Sequence, residues 1–280
     1  VRQTLDLAMV GEIRNALDAT LSLENVTLHG NSAVDGGGIS AADCEVSLSQ
    51  CEVRDNQATG QGGGIFASGG SMNAIDFTIS GNTAGGNGGG IAADVATCEA
   101  GSIIDNMAGG HGGGMYVDSA TLEDLTVEGN EAGGDGGGVF SMSSLDAQSV
   151  QVSTNSAVEQ AGGVFIAGAF TFVHSTVTSN QAASGGGIAL GTEAAGQLAA
   201  VALLDNSATT GGGVYVEMGS EELALHNLIV AGNQGTQGGG LALNDGALSL
   251  DYATFSENSA DDGSALYGEA GALTGKALIL

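Results

Sequence analysis

Ile79-Ser80-Gly81-Asn82-Thr83-Ala84-Gly85-Gly86-Asn87-Gly88-Gly89-Gly90-Ile91 is the stretch that decides the fold, because the chain keeps returning to it. An Asn stands at Asn31, Asn56, Asn82, Asn106, Asn130, Asn155, Asn180, Asn206, Asn233 and Asn258, in steps of 24 to 27 residues. Two residues later comes Ala in nine of the ten copies, with Gly235 the exception. Five or six residues after the Asn comes Gly-Gly-Gly in eight copies; Ala161-Gly162-Gly163 and Gly263-Ser264-Ala265 fill the sixth and tenth. An aliphatic residue or Met follows each, from Ile39 to Leu266. A period of this length marks a solenoid, whose single repeats cannot bury their apolar faces alone.

Apolar residues alternate on both sides of this signature. Three before the Asn stand Leu28, Val53, Ile79, Ile103, Val127, Val152, Val177, Leu203, Val230 and Phe255. Eight before it stand residues such as Leu23, Leu48, Cys98, Leu122, Phe172 and Leu250. Period-two alternation predicts strands with one buried face. Three such stretches per copy, all oriented alike and without two-residue hairpin turns, predict an all-β fold. It is a parallel β-helix of about ten coils with three short strands each, right-handed by the general preference of crossovers. Residues 21–280 form it. Residues 1–20 fit the repeat badly and are expected to be an N-terminal cap, with a short helix at 12–17, or a degenerate coil. At ~4.8 Å per strand spacing, ten coils make a rod roughly 48 Å long.

The turn residues follow from the same geometry. An Asn in every coil predicts an internal amide ladder, and Asn tolerates left-handed backbone angles. The glycine triplet supplies positive φ and close backbone approach. The complete absence of Pro suits strands that are paired on both edges.

Composition excludes several classes. Gly is 51 of 280 with Pro at 0, so a collagen is ruled out. Long helices are disfavoured, since each interior Gly costs about 1 kcal/mol relative to Ala. Only Arg2, Arg14, Arg54 and Lys276 oppose 32 acidic residues, for a formal charge of −28. Such a surface repels phosphate backbones and anionic lipid, so neither nucleic acid nor a membrane surface is an expected partner. No apolar run approaches the ~20 residues needed to span a bilayer. Cys44, Cys51 and Cys98 are odd in number and not closely spaced, which argues against a disulfide framework or a zinc site. Cys51 and Cys98 fall in core columns. With Val1 at one end and Ala277-Leu278-Ile279-Leu280 at the other, the chain reads as a mature fragment or a segment of a longer protein.

The unit aliphatic-x-x-Asn followed by Gly-Gly-Gly-aliphatic resembles the repeat of the polymorphic outer-membrane proteins of chlamydiae and their bacterial relatives. Ile79-Ser80-Gly81-Asn82 with Gly88-Gly89-Gly90-Ile91 carries it, as does Phe255-Ser256-Glu257-Asn258, which has the Phe that the family favours. The family often has Gly-Gly-Ala where this chain has Gly-Gly-Gly, and its membrane barrel has no counterpart in this segment. The resemblance implies a right-handed β-helix displayed outside the cell or at its surface, as an adhesive passenger or stalk. Partners would be a host or neighbouring surface protein, a glycan, or a second copy, stacked end to end on the bare C-terminal strand into a fibre.

Several columns carry candidate chemistry. The residue after the post-glycine aliphatic is expected to face outward. It is Phe66, Tyr116, Phe140, Phe165, Tyr215 or Tyr267, with Ser40, Ala92, Ala189 and Ala242 between. This column predicts an apolar ridge able to dock sugar rings or a partner; sheet stabilisation by cross-strand pairs is the plainer explanation. Asp94 is expected over Asp118 and Glu99 over Glu123, which would suit calcium or simply splay into water. No other cofactor is implied. Glu99 and Glu123 also approach the carboxylate spacing of a retaining glycosidase, about 5–5.5 Å, but repeats generate such pairs by chance. Arg54, with His29 and Ser80 in its column, is the candidate lyase base within the coils. The histidines His29, His111, His174 and His226 fall in unrelated columns, and a Thr column four before the Asn is explained by β-propensity.

Overall fold

The computed structural model describes residues 5–6, 20–217, 223–270 and 272–280. The expected N-terminal cap, with its helix at 12–17, therefore lies almost wholly outside the described residues. No helix occurs among the described residues. Strands pair in parallel with their counterparts one repeat away. One sheet of eleven strands lies just before the Asn column, from Leu5–Asp6 and Val26–His29 to Thr254–Ser256. Six two-residue strands follow the Asn, from Ser32–Ala33 to Ser156–Ala157. A wide sheet follows the glycines and includes Ile65–Ile75, Ile91–Glu99, Met115–Glu123 and Val139–Gln148. Ile79 pairs with Val53 on one side and Ile103 on the other, so the sequence columns are spatial columns.

Three bends close each coil. Left-handed residues, with φ between 51° and 68°, stand six before the Asn, one before it, and at the first position of the triplet, in all ten copies. The Asn itself is not left-handed, contrary to expectation; its predecessor is, from Gly30 and Asp55 to Gly232 and Glu257. The reason is that the Asn N–H and side chain both reach the next Asn, which shifts the bend to the neighbouring residue. The triplet divides its work in the same way. Gly88 takes the left-handed angle. A Cβ on Gly89 would strike the Gly113 carbonyl, and one on Gly90 would lie 2.7 Å from the Gly114 carbonyl oxygen.

Inside the rod, like stacks on like. Ile39, Ile65, Ile91, Met115, Val139, Val164, Ile188, Val214 and Leu241 form one continuous buried column. Burying a side chain of this kind contributes about 1.5–3 kcal/mol. Cys51 and Cys98 lie in the core as expected, Cys44 is buried as well, and all three thiols are free. Burial pushes the Cys98 thiol up to about 12, so it packs as a small apolar group.

Candidate functional site

The Asn ladder runs unbroken from Asn31 to Asn258. Asn82 shows its logic. Its Nδ2 donates to the Val53 carbonyl at 2.9 Å and to Asn106 Oδ1 at 2.9 Å, and its N–H donates to the same Oδ1 at 3.0 Å. Its own Oδ1 accepts both the N–H and the Nδ2 of Asn56. Every donor and acceptor of the carboxamide is thereby used, and this buried column is structural.

The aromatic column departs from its expected place. Phe140 and Phe165 are only 9% and 8% exposed, and Phe66, Tyr116, Tyr215 and Tyr267 are half-buried. The column is not a flat outward ridge, because the left-handed glycine folds its turn back against it. A Cβ on Gly136 would lie 2.9 Å from that of Phe140, and Gly185 and Gly238 stand in the same relation to Ala189 and Ala242. The result is a second apolar cluster of Phe140, Ala161, Phe165 and Ala189, joined by Tyr116, Ala167 and Tyr215. Tyr116 stacks on Phe140 at 5.2 Å and Phe140 on Phe165 at 4.8 Å, while His111 tilts against Phe140 at 4.9 Å. Removing Phe140 would therefore cost packing as well as any contact surface. Ala161 explains its own departure from glycine: its methyl is buried in this cluster, at a φ of 56°.

A second ladder, which the sequence reading missed, runs beside the glycine turn. The N–H of Gln61 donates to Asp35 Oδ1 at 2.7 Å, that of His111 to Asn87 Oδ1 at 2.9 Å, and that of Gln160 to Asp135 Oδ1 at 2.8 Å. Between them the Asp135 N–H donates to His111 Nδ1 at 3.0 Å. The same Nδ1 lies 3.2 Å from Asp135 Oδ2. Burial, chiefly, raises Asp135 above the usual carboxylate value, against the opposing pull of the Gln160 N–H and His111. The signal was a polar residue immediately before each glycine triplet.

The Glu99–Glu123 column takes its expected register. Glu99 and Glu123 are paired positions, flanked by Ile75 and Gln148, and both are exposed. Asp94 and Asp118 are partly buried, and Asp94 Oδ2 accepts the Gly69 N–H at 2.7 Å, which fastens the bulged stretch of the preceding strand. Among the described residues no group of three or more His, Cys, Asp or Glu could hold a metal ion. Two carboxylates fall short of the roughly six to eight oxygens that calcium takes. Arg54 does share a column with His29 and Ser80. Its guanidinium pairs with Asp55 at 2.8 Å and Glu52 at 3.3 Å, and the Asp55 hydrogen bond raises it further from any role as a base.

Residues 13–197 match the family model described as a right-handed beta helix region. No curated protein and no solved structure shows significant similarity to the chain.

Proposed function

This chain belongs to the right-handed β-helix family, and on that premise we propose that it is a non-catalytic structural rod, displayed outside the cell or at its surface. Its sides make adhesive contacts with a surface protein, a glycan or a second copy of itself. The observation that carries this reading is the uninterrupted register. Ten Asn residues at steps of 24 to 27 leave no room for the long loops that wall a substrate cleft. The paired Arg54 and the isolated exposed Glu99–Glu123 pair support it. The likeness of the repeat to polymorphic outer-membrane proteins supports surface display.

Incubation with neutral and acidic polysaccharides tests the reading, with new reducing ends and unsaturated products as readouts. No turnover is expected. Cleavage that disappears in Glu99→Gln or Glu123→Gln would replace the rod with the alternative, a polysaccharide-degrading β-helix.

A further inference from the structure

The aromatic column closes differently at its two ends. Tyr116, Phe140 and Phe165 fill successive coils and stack at 5.2 and 4.8 Å. Farther along, Tyr215 pairs in register with Ala242, and Ala242 with Tyr267. Two tyrosines separated by two strand spacings, ~9.6 Å, leave space for one ring at stacking distance from each. A cavity of about 140 Å³ lies there, lined by Tyr215, Ala242, Tyr267, Gln237, Asn244 and Glu269 among others.

The slot has an apolar interior and a polar rim. Ala242 is buried at its base, and the two tyrosines are half-buried. Gln237 Nε2 donates to the Tyr267 hydroxyl at 3.0 Å, and Asn244 Nδ2 donates to that of Tyr215 at 3.4 Å. These bonds fix both carboxamides at the rim, beside the exposed Glu269. We propose that this slot binds one pyranose ring of a neutral or amino sugar, held between Tyr215 and Tyr267. The C–H faces of a pyranose suit tyrosine faces, and its edge hydroxyls suit the two carboxamides and the carboxylate. A plain aromatic ring has no hydroxyls to offer the carboxamide oxygens and the carboxylate, whose lone pairs it would cover. Glu269 and the overall charge of −28 select against uronates and phosphorylated sugars.

This inference goes beyond the rod reading. The rod fails on turnover and the slot fails on binding, so the two failures are distinguishable. Methyl β-glucoside, glucosamine, glucuronate and N-acetyltyrosinamide are each titrated into the full chain, and binding is followed by saturation-transfer NMR. Methyl β-glucoside or glucosamine is expected to bind, and glucuronate is not. Ala242→Phe fills the slot as Phe140 fills the place between Tyr116 and Phe165. It should weaken sugar binding by at least about tenfold with the melting temperature retained. Tyr267→Ala serves the same purpose if that variant does not fold. The proposal is overturned if neither sugar binds, if binding survives in the folded variants, if glucuronate binds as well as glucosamine, or if N-acetyltyrosinamide is preferred.

Discussion

The coils of Asn56 to Asn155 and those of Asn180 to Asn258 build the same turn with different hydrogen bonds. In the first group the left-handed turn residue stands six after the Asn; in the second it stands five after. With the extra residue, the N–H just before the turn reaches a side chain, as His111 reaches Asn87 and Gln160 reaches Asp135. Without it, the backbone reaches a carbonyl directly. Ser184 N–H donates to Glu159, Thr210 N–H to Ala183, and Gln237 N–H to Thr209. The two-residue strands of the first group give way to single bridges at Gln181, Ser207, Gln234 and Ser259. A solenoid thus absorbs one residue per coil by changing the acceptor, while its core columns keep their register.

The largest expected effect tests what the two halves share. Asn130→Ala removes an acceptor from the Asn106 N–H and Nδ2, and a donor from the Ile103 carbonyl and Asn155 Oδ1. The Asn106 N–H loses its acceptor outright, whereas Asn106 Nδ2 keeps the Ile79 carbonyl and Asn155 Oδ1 keeps the N–H of position 130, so the cost in denaturant unfolding should be about 2–4 kcal/mol. Asn258, only partly buried, should cost clearly less when changed in the same way. A uniform small cost at both sites would show that the ladder is not what unites the halves.

A smaller pair of effects separates them. Asn87→Ala deletes the acceptor for the His111 N–H and should cost about 1–2 kcal/mol. Thr210→Ala should stay within about 0.5 kcal/mol, because the bond there is made by the Thr210 backbone. Equal costs would erase the distinction.

The smallest effect concerns pH. Burial raises Asp135 in the native state, so that state holds the proton more tightly than the unfolded chain does. The stability this contributes is full below the ordinary value of 3.8 and is lost as pH rises through the raised native value. Asp135→Asn keeps a side-chain oxygen for the Gln160 N–H and cannot ionise. Its melting temperature relative to the unsubstituted chain should therefore climb as pH rises above 3.8. A relative melting temperature that falls over that range would contradict the assignment.

Much of this was legible from residues alone. Leu28, Val53 and Ile79 announced a buried column because strand side chains alternate with a period of two. Asn82 and Asn106 announced a ladder because a carboxamide repeated once per coil can satisfy its neighbour. The second ladder was obscured because Asp35, Asn87, His111 and Asp135 share a geometric task but not a single residue type.

Sequence by itself determined the coil, the columns and the buried amides, since each depends on spacing that a regular backbone converts directly into position. Only the tertiary structure decided which way the turns fold. That folding buries Phe140 and Phe165, places the left-handed bend beside the Asn, and leaves a ring-sized gap at Ala242. Alternation says which side of a strand a residue occupies; whether another segment covers that side depends on a turn whose path is set by contacts one coil away.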